Sequence, residues 1–155
     1  MTPELKEATR SNAPRPARSF PRAVPKPTPE TATFWQKAAE EELWIQRCEE
    51  CSKPYFYPRI FCPNCGSDDV VWFECTGDAT LHSYVIENRP APGFQDDVPY
   101  AVAIVELAEG PRMMSMIVDV VPEPENLVLD MPLRVTFRER GDLKIPMFTP
   151  REDCS

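Results

Sequence analysis

The segment Cys48–Gly66, CEECSKPYFYPRIFCPNCG, decides the architecture of the first part of this chain. It contains two Cys-x-x-Cys pairs, Cys48/Cys51 and Cys62/Cys65, which are separated by ten residues. Each pair can form a tight turn whose two sulfurs converge on one ion, and four thiolates give zinc a closed tetrahedral coordination. The spacing therefore predicts a zinc ribbon in which Cys48, Cys51, Cys62 and Cys65 hold one structural Zn2+.

Other uses of these cysteines are less favoured by the sequence. Four thiolates also suit a rubredoxin-like iron centre. A disulfide framework needs an oxidising compartment, and a redox Cys-x-x-Cys usually occurs once, at the start of a helix. We find no secretory signal and expect a cytoplasmic location. Cys75 and Cys154 fall outside the pattern, and we interpret Cys75 as a packed thiol.

Composition divides the chain near residue 30. The whole chain has 155 residues, 19 prolines and a net charge of -8. Residues 1–30 hold seven of the prolines with six basic and three acidic side chains, whereas residues 31–155 carry a net charge of -11. Residues 1–30 contain only four large apolar side chains, and burying these cannot offset the entropy lost on folding. We therefore expect 1–30 to be a disordered tail or an arm that orders on a partner. We expect no membrane span, because no apolar run approaches about 20 residues.

The remaining sequence predicts one short helix followed by strands. Helix-forming residues predict a helix over about Thr33–Glu42, leading into the first cysteine pair. Apolar and alternating runs after residue 75 predict five strands: Ala79–Asn88, Tyr100–Leu107, Arg112–Val120, Leu133–Arg140 and Leu143–Phe148. We therefore expect a mainly β fold, with a helix and a rubredoxin-like ribbon over 31–75, a five-stranded OB-fold barrel over 76–150, and a short tail over 151–155.

One long loop, Arg89–Pro99, interrupts the strands. It holds three prolines, Gly93 and the aromatic Phe94. Loops of this length between strands are often functional, although proline can also simply stiffen a surface loop. The loop is thus either a stiff connection or a contact for a ligand or partner.

The order of these motifs resembles the zinc-ribbon and OB-fold proteins associated with acyl-CoA enzymes, first catalogued as a domain of unknown function. The resemblance covers about residues 33–150. It rests on the Phe56–Gly66 segment, the Thr76–Thr80 turn, the Arg-Pro-x-Pro-Gly-Phe loop at 89–94, and Phe148-x-Pro150. Asp78 departs mildly from the glycine-richer turn of that family.

This resemblance implies a non-catalytic subunit in a hetero-oligomer. Members complete a thiolase-superfamily partner, such as an acyl-CoA thiolase or a retro-aldolase (lyase) of steroid metabolism, and help to bind the CoA of the acyl-CoA. Our candidate contacts with CoA or the partner are Arg89, Pro92, Gly93, Phe94 and Phe148. We predict no catalytic residue, because the only histidine, His82, lies in a predicted strand and no nucleophile has a visible base partner.

A single-stranded nucleic-acid-binding module is the alternative function. Zinc ribbons and OB folds both serve in that role, and aromatic side chains can stack on bases. The net charge of -11 in residues 31–155 opposes binding to phosphate backbones. Only the basic tail favours it, so we expect nucleic acid not to be the main partner.

Overall fold

The computed structural model describes residues 21–152, in which one helix precedes eight strands. The elements are α1 (Ala32–Ala39), β1 (Trp44–Cys48), β2 (Pro54–Tyr55), β3 (Val70–Glu74), β4 (Asp78–Glu87), β5 (Tyr100–Leu107), β6 (Arg112–Ile117), β7 (Pro132–Arg140) and β8 (Leu143–Pro150). A three-stranded sheet, β2-β1-β3, is followed by a closed barrel, β4-β5-β6-β8-β7. The predicted mainly β fold is therefore confirmed. Most of the predicted N-terminal tail (1–20) and Cys154 lie outside the described residues.

Helix α1 is short and buries one face. Phe34, Trp35 and Ala38 are its buried residues, and their spacing places them on one side of the helix. The helix ends where Glu41 adopts a left-handed backbone with φ of 64°. No helix among residues 21–152 is long and apolar enough to cross a membrane.

The ribbon and the barrel share one continuous core. In the ribbon, β1 is the central strand and pairs antiparallel with both β2 and β3. Ile45 of β1 is completely buried and belongs to the same cluster as Phe34 of α1 and Leu81 of the barrel. Helix α1 therefore packs between the metal-binding part of the chain and the barrel, and it fixes their contact.

The barrel is filled by alternate residues of its strands. Along β5, Ala101, Ala103, Val105 and Leu107 are buried while the intervening residues are half-buried. The closure between β6 and β8 is narrow, since the two strands share a single parallel pair, Ile117 with Phe148. A groove of about 250 Å³ lies beside this closure. Its lining includes Phe34, Trp35, Phe56, Tyr57, Met113 and Ile145.

Candidate metal centre and interaction surfaces

The four predicted ligands converge at the tip of the ribbon. The sulfur atoms of Cys48, Cys51, Cys62 and Cys65 all lie within 4.8 Å of one another. Two Sγ···Sγ distances, Cys48 to Cys65 and Cys51 to Cys62, are 3.6 Å. A disulfide requires about 2.05 Å, whereas four sulfurs about 2.3 Å from one central ion lie nearly 3.8 Å apart. The donor set thus fits one tetrahedral zinc ion.

Two equivalent turns present these sulfurs. The N–H of Cys48 donates to the carbonyl of Lys53 at 3.1 Å, and the N–H of Cys62 donates to that of Ser67 at 2.8 Å. In each turn the fourth residue after the first cysteine is left-handed, Ser52 with φ of 59° and Gly66 with φ of 80°. Both turns also donate a backbone N–H to the sulfur of their first cysteine. The repeated geometry explains why two Cys-x-x-Cys pairs build one centre.

The environment of each thiol sets its ionisation. Burial opposes ionisation of Cys62, but backbone N–H groups of Cys65 and Asn64, with neighbouring thiols, lower the pKa of Cys62 to about 6. The N–H of Ser67 lowers the pKa of Cys65, but desolvation and the hydrogen bonds that the Cys65 thiol donates to the other three sulfurs outweigh it and raise this pKa to about 12. A thiolate that accepts backbone N–H groups, as Cys62 does, is the form that binds a cation. Cys75, outside the quartet, has its pKa raised by burial and then by Glu109.

The aromatic segment between the two pairs is held by its backbone. The buried Gln46 accepts the N–H of Arg59 at 2.7 Å, and the hydroxyl of Tyr55 donates to the carbonyl of Arg59 at 3.2 Å. This anchoring leaves Ile60 and Phe61 more than half exposed, at 57% and 53%. The ribbon therefore presents apolar side chains directly beside its metal centre.

The loop Arg89–Pro99 forms a second cluster, around Phe94. Its ring lies 5.3 Å from that of Tyr100 and has two arginines over it, Arg22 at 4.6 Å and Arg140 at 5.2 Å. Arg22 also borders the neighbouring cavity of about 410 Å³, with Tyr100 and Met116. Sequence reasoning missed both arginines, since no spacing signal relates residues 22 and 140 to residue 94.

The predicted contact residues do not all meet at this cluster. Pro92, Gly93 and Phe94 lie together in the loop, and the exposed Arg89 lies at its start. Phe148 is separate from them: its side chain is 0% exposed in the barrel core, and its backbone pairs with Val135 and Ile117. A side chain enclosed in this way packs the barrel, so we correct the placement of Phe148 among the surface contacts.

The outer face of β4, β5 and β6 carries an apolar patch. Register places Val85, Val102 and Met116 in one row across the three strands, and Ser83, Ile104 and Met114 in the next. Directly opposed residues share a face of the sheet. Val85 is 55% exposed and Met114 is 69% exposed, so the patch reaches solvent. We call these five apolar residues (Val85, Val102, Ile104, Met114, Met116) the outer apolar face.

Comparison with known families assigns both parts of the chain. Residues 35–71 match the family described as "ChsH2, rubredoxin-like zinc ribbon domain". Residues 72–138 match "ChsH2, C-terminal OB-fold domain". The zinc-ribbon and OB-fold interpretation is thereby confirmed, and with it one structural zinc as the cofactor.

Three similar proteins differ in how much of their length this chain represents. It is 35% identical over 114 residues to a "DUF35 domain-containing scaffold protein" of Methanothermobacter thermautotrophicus, across 71% of this chain and 83% of that protein. It is 36% identical over 120 residues to a "Probable enoyl-CoA hydratase alpha subunit" of Thermomonospora curvata, across 76% of this chain but only 36% of that relative's length. The solved "Ltp2-ChsH2(DUF35) aldolase" superposes with a TM-score of 0.72 at 32% identity, across 82% of this chain and 98% of that one.

Proposed function

Because this chain belongs to the DUF35 family of zinc-ribbon and OB-fold proteins, we propose that it is a non-catalytic subunit of an acyl-CoA-processing enzyme. Its partner in this proposal is a thiolase-superfamily protein that acts as a thiolase or as a steroid side-chain retro-aldolase. Similar proteins support an association with acyl-CoA enzymes, since one is named a hydratase subunit and another a two-part aldolase. The zinc, held by the four cysteines, stabilises the ribbon and has no open position for chemistry.

The observation that carries this proposal is the outer apolar face. A strand whose inner side fills a barrel normally presents polar side chains outward, but β5 presents Val102 and Ile104. Contiguous apolar surface of this kind marks protein interaction sites. The face ends at the exposed ion pair of Arg112 with Glu106, whose atoms approach to 2.8 Å. Its centre thus carries no charge, as is typical of the buried centre of a protein interface.

The Arg89–Pro99 loop is our candidate for the contact with CoA. Among residues 21–152, neither Arg89 nor Arg140 forms an ion pair with an acidic side chain. An arginine with free donors can bind a phosphate group. In this proposal Arg89, Pro92, Gly93 and Phe94 contact CoA or the partner, and Met116 links the adjoining cavity to the outer apolar face.

Co-purification tests the proposal. The tagged full chain is isolated from its host, and mass spectrometry of the bound proteins is expected to identify a thiolase-superfamily protein. Met114→Lys places a charge in the outer apolar face and is expected to weaken this association at least tenfold, as loss of a central interface residue does. Val128→Lys is the matched control, because Val128 is similarly exposed (60%) but lies outside that face.

Two results would refute the proposal. One is a chain that is active by itself and never associates with such a protein. The other is an association that Met114→Lys and Val128→Lys affect equally, which would remove the outer apolar face as its basis. Zinc content is measured in both variants, so that a loss of folding is distinguished from a loss of binding.

A further inference from the structure

The segment Pro21–Val24 crosses the Arg89–Pro99 loop. The Nε of Arg22 donates to the carbonyl of Gly93 at 3.1 Å, and its guanidinium group forms an ion pair with Asp97. The same guanidinium group lies over the ring of Phe94. One side chain thus makes three different contacts with a loop that is about 70 residues away in sequence.

Two glycines let this segment approach the backbone closely. A Cβ added to Gly93 would lie 2.6 Å from the Cα of Arg22, and a Cβ added to Gly141 would lie 3.0 Å from a methyl carbon of Val24. The first distance is shorter than any ordinary contact between carbon atoms. The segment therefore lies directly on the loop and on the β7–β8 turn, and it connects them.

Arg22 completes the surroundings of Phe94. Tyr100 and Arg140 contact the ring as well, and the Nε of Arg140 is buried without a hydrogen-bond partner among the described residues. Burial, together with the nearby charge of Arg22, lowers the pKa of Arg140. These contacts hold Phe94 half-buried instead of leaving it free on an exposed loop.

We propose that Pro21–Val24 is a strap, and that Arg22 is a positioning residue that holds the Arg89–Pro99 loop in its binding conformation. A loop that is already ordered loses little conformational entropy when it binds, and ordering it in advance therefore raises affinity. The identity of the loop's ligand or partner rests on the proposed function, whereas the ordering of the loop by Arg22 is independent of it. The strap lies outside residues 35–138, which the two family descriptions cover.

Hydrogen–deuterium exchange of the full-length chain tests the ordering. The N–H groups of Phe94 and Asp97 donate within the loop, to the carbonyls of Ala91 at 2.9 Å and Phe94 at 3.1 Å. Arg22→Ala removes an exposed ion pair and a cation–π contact and is expected to speed exchange there about tenfold. Lys26→Ala is the matched control: it removes the same charge two residues after the strap, and Lys26 forms no hydrogen bond or ion pair among residues 21–152. Equal exchange in the two variants would overturn the proposal.

A pair of glycine variants tests the strap without changing its charge. Gly93→Ala is expected to displace the strap and to speed loop exchange as Arg22→Ala does. Gly110→Ala also places an alanine at a positive φ, 111° against 87°, but it lies in the β5–β6 turn and its Cβ meets no atom within 4 Å, so loop exchange is expected to stay unchanged. Because alanine at Gly93 also strains the loop itself, the same substitution is made in the Arg22→Ala chain. If it speeds loop exchange there as much as in the unaltered chain, backbone strain explains the effect and the strap is refuted.

Binding measurements then test the positioning role. Affinity is measured for the co-purified partner and for coenzyme A as the ligand probe. Arg22→Ala is expected to weaken binding about three- to tenfold, and Arg22→Lys is expected to restore part of the lost affinity through the ion pair. Faster loop exchange with unchanged or tighter binding would overturn the positioning role, and tighter binding would identify the strap as inhibitory. If the unaltered chain binds no such partner, the proposed function fails, while the exchange experiment still decides whether the strap orders the loop.

Discussion

The ribbon and the barrel reach their stability by different means. The ribbon sheet has three strands, one of them only two residues long, and its tip is organised around four sulfurs. The barrel has five strands of six to ten residues and encloses fully buried side chains such as Leu81, Leu133 and Phe148. Short strands bury too little apolar surface to fold alone. The ribbon therefore depends on its metal and the barrel on its packing.

The cysteines show the same contrast at the level of single side chains. Cys62 and Cys75 are both buried, with exposed fractions of 3% and 6%. Donated hydrogen bonds lower the pKa of Cys62, whereas burial raises that of Cys75. The same residue type therefore favours metal binding in the ribbon turn and remains a neutral thiol where the ribbon joins the barrel.

Loss of one ligand is the largest effect we predict. Cys62→Ser is expected to abolish zinc binding and to unfold the ribbon, since a structural zinc site contributes about 10 kcal/mol of coupled binding and folding free energy. Zinc analysis and hydrogen exchange of the β1 and β3 amides check this. Cys75→Ala, the matched control, should retain zinc and lose about 1–2 kcal/mol of unfolding free energy. If the β1 and β3 amides of Cys62→Ser stayed protected from exchange, the ribbon would not depend on its metal, and the distinction between ribbon and barrel would fail.

Truncation of the barrel core should give the opposite pattern. Phe148→Ala removes a ring that is completely buried and is expected to lower the unfolding free energy by about 3–5 kcal/mol. Urea unfolding measures the loss, and zinc analysis of the folded variant is expected to give the same content as the unaltered chain. Zinc loss in the folded variant would show that the shared core, and not the metal, maintains the ribbon turns.

The smallest effect is expected at the first strand of the barrel. A hydrogen bond from Arg134, aided by the charge of Arg151, lowers the pKa of Asp78. Because the folded pKa lies below the unfolded value, the stabilisation is present above about pH 4 and is lost as the pH falls through the folded pKa. Asp78→Asn should therefore cost less than about 1 kcal/mol at pH 7, with no added cost in acid.

The measurement for Asp78 is urea unfolding of the unaltered and variant chains at pH 7 and at pH 3. Their difference in unfolding free energy should shrink at the lower pH. Asp142→Asn is the control, because Asp142 is exposed and forms no ion pair among residues 21–152. A difference that grows in acid would contradict the assigned direction of the pKa shift.

Strand positions were predictable wherever alternation was regular. Tyr100–Leu107 was predicted at its observed bounds, because alternate apolar residues point into the barrel. β4 alternates only partly, and the structure gives the reason: its register with β5 shifts between Leu81 and Ser83. His82 is the extra residue of this bulge, so the inward positions change from Leu81 to Tyr84 and Ile86. A bulge is selected by pairing across strands, which a local pattern does not contain.

The start of the helix was less predictable. The sequence predicts a helix from about Thr33, but α1 begins at Ala32 and Thr33 lies within it. The residue before the helix, Thr31, makes no side-chain cap, and its hydroxyl instead accepts the N–H of Thr28 at 2.9 Å. Packing of Phe34 and Trp35 against the core therefore stabilises the start of α1 without a side-chain cap.

The zinc ribbon and the class of the fold follow from local patterns of amino acids. Two cysteine pairs at a fixed spacing specify tetrahedral coordination, and period-two alternation specifies strands, because both depend on residues close together in the chain. Three features emerge only in the folded chain: the enclosure of Phe148 in the core, the meeting of Arg22 and Arg140 at Phe94, and the set of residues that form the outer apolar face. Those relations depend on strand register and barrel closure, which bring distant residues together and carry no local signal.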